Sequence, residues 1–214
     1  MSQDIELACR CGSIHGWARA IAPNSVNRAV CYCDDCQAFL HYLDRADLLD
    51  AHGGTDVVQL PPNAVVFDQG AERIVAVRLS PKGMHRWYAG CCKTPLGNTL
   101  TPLVAFIGMP LEVFLGAHDS QRRDAVFGKP RGFVGGRFAV GGPPEGLPKY
   151  PAMKFARVIL RTIGWKLRGR AWPHPYFDKA TGGPSHPVTI LTPGERDALR
   201  PKCGPNPTLP GSRP

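Results

Sequence analysis

The segment Cys31-Tyr32-Cys33-Asp34-Asp35-Cys36 decides how the rest of the chain is read. Three thiols fall within six residues, and the apolar positions Phe39, Leu40, Leu43, Leu48 and Leu49 that follow recur at helical intervals up to Gly53-Gly54. A strand ending in a cysteine pair and running into a short helix over about Cys36 to Ala51 is predicted. At the head of that helix the aligned peptide dipoles stabilise thiolate charge, so Cys33 and Cys36 sit where reactive or metal-binding sulfur is favoured.

Two further groups flank this one: Cys9-Arg10-Cys11-Gly12 upstream and Cys91-Cys92 downstream. Between the groups, alternating or β-branched runs recur at Ile5 to Cys11, Trp17 to Ile21, Ala29 to Cys33, Val57 to Leu60, Val65 to Phe67, Ile74 to Leu79 and Arg86 to Ala89. Residues 104–115 read as one or two buried strands about Met109-Pro110. Short strands at this spacing predict a mainly β domain with one short helix.

The 214 residues suffice to bury a core without staples, and Gly 24 with Pro 22 argues against a helical bundle. The charge of +9 is unevenly spread. Residues 1–120 hold 9 basic and 12 acidic side chains, net −3, while the remainder holds 17 basic and 5 acidic, net +12. We read 1–120 as a zinc-binding β domain, 121–191 as a basic Gly- and Pro-rich extension, and 192–214 as a mobile tail in which Cys203 is a bystander. Within the extension, residues 152, 155, 156, 159, 160, 163 and 167 form an apolar stripe with Lys154, Arg157, Arg161 and Arg168 on another side. This predicts a basic amphipathic helix near 152–168, which either docks on the domain through Phe155, Ile159 and Ile163 or meets a membrane surface or an acidic protein. No nucleic-acid platform of interleaved aromatics is present.

The start of the chain resembles no secretory signal, and the longest apolar stretch, Leu103 to Leu115, is too short and too interrupted to span a bilayer. A cytoplasmic setting is therefore expected, where grouped cysteines bind metal more often than they pair. Zinc suits all-thiolate donors best; an iron–sulfur cluster and a set of inert buried thiols are the alternatives. Seven sulfurs supply one closed site of four and one open site of three. The partition expected is Cys9, Cys11, Cys91 and Cys92 around a structural zinc, with Cys31, Cys33 and Cys36 around a catalytic-type zinc. Adjacent residues of an extended chain point apart, so Cys91 and Cys92 reach one ion only if Gly90 permits a tight turn. Otherwise Cys91 leans to the other site or His85 completes a set. Asp34 and Asp35 are either bases or helix caps, and His15, His41, His52, His85 and His118 form no paired zinc motif. Nucleotide-binding and serine-hydrolase signatures are absent.

The order Cys-x-Cys-Gly, then Cys-x-Cys-x-x-Cys-Gln37, then an aromatic-led cysteine segment entering Thr94-Pro95-Leu96-Gly97 resembles the glutathione-dependent formaldehyde-activating (GFA, CENP-V/GFA) family over about residues 5–115. The resemblance implies a fold of several coiled β-sheets bearing two zinc ions. It also implies a carbon–sulfur lyase activity that joins glutathione and formaldehyde as S-hydroxymethylglutathione. The third group departs from the family pattern, with Ala89 where the family has its first cysteine and Lys93 where it has glycine. A non-catalytic zinc module whose extension mediates protein or membrane contacts is the reading from a different class.

Overall fold

The computed structural model describes residues 2–116 and 119–207, with backbone alone at 152–155. His118 lies outside the described residues, and the side chain of Phe155 outside the described side chains. Among the described residues, eleven strands form two sheets. The smaller contains β1 (Gln3–Ala8), β2 (His15–Ile21) and β5 (Val65–Gln69), all antiparallel. The larger uses β3 (Asn27–Cys31), β4 (Thr55–Leu60), β6 (Ile74–Arg78), β7 (His85–Ala89), β8 (Pro95–Thr99), β9 (Ile107–Pro110), β10 (Phe133–Val134) and β11 (Val188–Ile190), in the order β10-β3-β4-β9-β8-β7-β6-β11. The mainly β class expected from the period-two runs holds.

The sheet crosses the charge boundary at residue 120. Both of its outer strands come from the basic segment: β10 pairs parallel with β3, and β11 pairs parallel with β6. They satisfy backbone groups that would otherwise lie open at two edges. A fully buried Arg28 on β3 further ties this segment down. It forks onto Asp56 at 2.6–3.1 Å and reaches Asp124 at 2.6 Å and the Gly128 carbonyl at 2.7 Å. Phe127, Tyr176 and Phe177 enter the same core as Leu7, Ile14, Leu60 and Trp87.

Strand β8 escaped the sequence reading because Pro95 and Gly97 look like turn residues. Pro95 is the first strand residue, where a missing N–H is tolerated. Gly97 leaves the space that Tyr176 fills: a Cβ there would lie 3.0 Å from the Tyr176 hydroxyl and from Ile107. Tyr176 stacks on Trp87 with centroids 4.7 Å apart and donates to the Leu96 carbonyl at 3.0 Å.

Among the described residues, four helices accompany the sheets: α1 (Asp34–Tyr42), α2 (Ser120–Phe127), α3 (Ala152–Leu167) and α4 (Pro193–Leu199). Helix α1 is shorter than expected, since Asp44 takes a positive φ of 54° and a separate 3-10 turn follows at Ala46–Leu48. Helix α3 matches its predicted span, but a different face docks. Trp165 is buried and Arg161 donates to the carbonyls of Val26 and Asn24, whereas Ile159 and Ile163 are half exposed and Leu160 and Leu167 lie outside. Where a loose tail was expected from residue 192, Thr192 opens α4 with a capping box. Arg200 then pairs with Asp34 at 2.9 Å and Asp35 at 2.7 Å, and Cys203 is buried beside Phe39, Leu40 and Leu43.

Candidate functional site

Seven cysteines converge in two groups. The first is built from two turns far apart in sequence. After β1 the chain folds back through Cys9 to Ile14, closed by Gly12 N–H to Cys9 O at 2.9 Å, with Gly12 at a left-handed φ of 74°. After β7 a second turn is closed by Lys93 N–H to Ala89 O at 2.8 Å and Ala89 N–H to Thr94 O at 2.9 Å. The Arg10 N–H donates to Thr94 Oγ1 at 2.9 Å and stitches the turns together. Sulfurs of Cys9, Cys11, Cys91 and Cys92 then lie within 4.8 Å of one another, with Cys9–Cys11 at 3.5 Å, Cys11–Cys91 at 3.4 Å, and Cys9–Cys91 and Cys91–Cys92 at 3.9 Å.

A disulfide would need about 2.05 Å. Tetrahedral coordination with bonds of about 2.3 Å puts sulfurs about 3.8 Å apart, so the donor set fits a zinc-sized ion. Cys91 and Cys92 share the group within this turn, where Lys93 adopts a left-handed φ of 60°; Gly90, where the sequence placed the special turn, has no positive φ. A lysine in this conformation carries a cost of about 1–2 kcal/mol. His85 is not in the group: its ring stacks on Trp87 and its Nδ1 faces the Leu100 carbonyl at 3.2 Å.

The second group is local. Cys31 ends β3, Cys33 caps α1, and Cys36 lies in the first turn of that helix, with the Cys36 N–H donating to Cys33 O at 3.0 Å. The Cys31 sulfur is 3.3 Å from that of Cys33 and 3.4 Å from that of Cys36. No fourth His, Cys, Asp or Glu joins them among the described residues. Cys36 is held well below the ordinary thiol value by hydrogen bonds with Cys31 and Cys33, with the positive charge of Arg86 helping against burial. Cys31 is correspondingly pushed well above it by hydrogen bonds with Cys33 and Cys36 and by burial.

Arg86 had no motif to announce it. It lies on β7, is buried, and its Nη1 is 3.7 Å from the Cys36 sulfur and 3.3 Å from Asn98 Oδ1. A charged residue within an otherwise apolar strand was the available signal, because a buried guanidinium requires a counter-charge. Gln37, whose amide donates to Tyr32 O at 2.8 Å and Phe138 O at 2.9 Å, locks the loop that carries the trio. Asp34 and Asp35 are engaged by Arg200, which makes them partners of the C-terminal segment as well as acids at a helix N-terminus.

Cys31 and Cys36 open onto a cleft of about 220 Å3 whose walls include Arg86, Asn98, Gln59 and Phe106. Helix α3 roofs it through Val158, which also lines a cationic pocket on one side and an apolar cavity on the other. A metal on the trio would thus meet a molecule entering the cleft, while the four-cysteine group ties two turns together.

Fold and clusters define a mainly β protein with two sulfur groups of metal-binding geometry. The chain belongs to a family of unknown function, DUF6151, which it matches over residues 1–189. No curated protein matches it. A crystal structure of a Rhodobacter sphaeroides protein is similar at 12% identity, covering 61% of this chain and 100% of that one, with a TM-score of 0.37. No helix among the described residues is long and apolar enough to cross a membrane.

Proposed function

We propose that the chain is a zinc-dependent enzyme of carbon–sulfur lyase type, adding a thiol such as glutathione to formaldehyde or a related small carbonyl. The observation that carries this reading is a three-sulfur group facing a cleft, beside a separate four-sulfur group remote from it in sequence. Four protein donors suit a structural ion and three leave room for substrate. The order of the cysteine motifs, similar to that of the GFA family, supports the same chemistry.

Cys31, Cys33 and Cys36 would hold the catalytic-type zinc, which when bound lowers the pKa of a thiol in its remaining position. Arg86 places a fixed positive charge beside the sulfurs and offsets the negative charge that a fourth thiolate adds. Asn98, anchored by Arg86, together with Asn27 and Gln59 supplies amides that orient the carbonyl oxygen. The thiol releases its proton to solvent, sulfur attacks the carbonyl carbon to form the new C–S bond, and the oxygen takes up a proton to become the hydroxyl.

The test pairs metal analysis with NMR of the adduct from glutathione and formaldehyde. Two zinc ions per chain and a rate above the spontaneous reaction, lost in Cys33→Ala, are expected. A rate equal to background and indifferent to Cys33→Ala refutes the enzyme. That outcome supports a non-catalytic zinc module, which the exposed Leu160 and Leu167 on α3 favour as a contact surface for a protein or membrane.

A further inference from the structure

Beside the cysteine cleft lies a smaller pocket of about 110 Å3 lined by Asn27, Arg131, Tyr150, Arg157, Val158 and Arg161. It falls below the roughly 300–1,000 Å3 of a self-contained ligand site, but Asn27, Tyr150 and Val158 belong to both cavities, so it continues the cleft. The shared wall is rigid: Tyr150 donates to Asn27 Oδ1 at 2.6 Å, and Asn27 Nδ2 donates to Gln59 Oε1 at 3.1 Å.

Three arginines line this space. Arg161 spends Nη1 and Nη2 on the carbonyls of Val26, at 2.6 Å, and Asn24, at 3.0 Å. Arg131 leans on the carbonyls of Pro23 at 3.2 Å and Val26 at 3.4 Å. Arg157, one helical turn before Arg161, is exposed. Among the described residues, no carboxylate within 4.0 Å pairs with any of the three. Like charges one helical turn apart repel, and burial together with the charge of Arg131 lowers the pKa of Arg161. Carbonyls anchor two of these cations without neutralising them.

We propose that this pocket is a subsite for a carboxylate carried on the same molecule as the reacting thiol, so that the enzyme selects anionic thiols over neutral ones. The inference rests on the thiol reading of the three-cysteine site and adds its substrate class. None of the three arginines lies within residues 5–115; the basic segment supplies the specificity, and α3 is the element that joins it to the chemistry.

The test uses the full chain loaded with cobalt in place of zinc and follows the sulfur-to-cobalt absorption band as 3-mercaptopropionate or 2-mercaptoethanol is added. At low ionic strength the anionic thiol is expected to bind at least tenfold more tightly, about 1.4 kcal/mol. The ratio should fall to near one in Arg157→Gln and shrink in 1 M salt, where screening is strong. Arg168→Gln, an equal loss of charge at the residue that caps the end of α3, should keep the preference. In parallel, saturation-transfer NMR with propionate, which has no thiol, should report binding to wild type that Arg157→Gln abolishes. Equal affinity for the two thiols, or a preference that survives Arg157→Gln, overturns the proposal. If neither thiol alters the spectrum, the thiol reading itself fails, and the propionate signal still decides whether the pocket takes a carboxylate.

Discussion

Loss of the four-cysteine group should destabilise the protein far more than loss of the trio. A metal joining Cys9 and Cys91 closes a loop across 82 positions, whereas one joining Cys31 and Cys36 spans 5. Treated as cross-links on the unfolded chain, these restrict it by about 4.5 and about 2 kcal/mol respectively. The perturbations are Cys11→Ser/Cys91→Ser and Cys31→Ser/Cys33→Ser, each intended to leave too few sulfurs to hold the ion. Cys11 and Cys91 are exposed, so the first pair opens no cavity to confuse the comparison. In urea unfolding of zinc-loaded protein, with a slope near 3 kcal/mol per molar, the midpoint should fall by about 1.5 M for the first pair and about 0.7 M for the second. Chelating the wild type should bring it below both. If the first pair loses no more than the second, the group does not bridge the two turns through a metal and the reasoning fails.

Arg28→Met should cost about 3 kcal/mol, the lower end for a broken buried ion pair, because Asp56 and Asp124 retain some access to water. A loss below about 1 kcal/mol in the same urea assay would show that this junction contributes little. His15 should make stability pH-dependent. Its imidazole lies 2.5 Å from Glu6 and 3.2 Å from Asp68, and these carboxylates raise its pKa, Glu6 foremost. A group with a raised folded pKa stabilises fully below its unfolded value near 6.5 and loses that contribution as pH rises through the folded value. Unfolding midpoints should therefore decline from about pH 6.5 upward, and Glu6→Gln should flatten the decline. An unchanged profile in that variant would remove the pair as its cause.

The strands were legible where alternation was clean, as in Ile74–Arg78, and hidden where function and packing override propensity. Pro95–Thr99 is fully buried yet carries a proline and a glycine, the glycine being required by Tyr176 from a segment about eighty residues away. Helix α3 was legible in extent, but not in orientation. Its apolar stripe offers two flanks, and the choice fell to Trp165 and to carbonyls at Val26 and Asn24 that Arg161 can reach.

The local half of the candidate site was written in spacing: three thiols at a strand end and a helix head must lie close together whatever surrounds them. The other half depended on register. Only the folded sheets bring the turn after β1 against the turn after β7, where Cys91 and Cys92 join Cys9 and Cys11. Burial of Arg86 against Cys36, coverage of both sheet edges by β10 and β11, and the alignment of three arginines with the cleft are likewise long-range outcomes. Sequence periodicity acts over a turn or a strand pair, whereas these contacts arise from which edges and faces find one another when the whole chain excludes water.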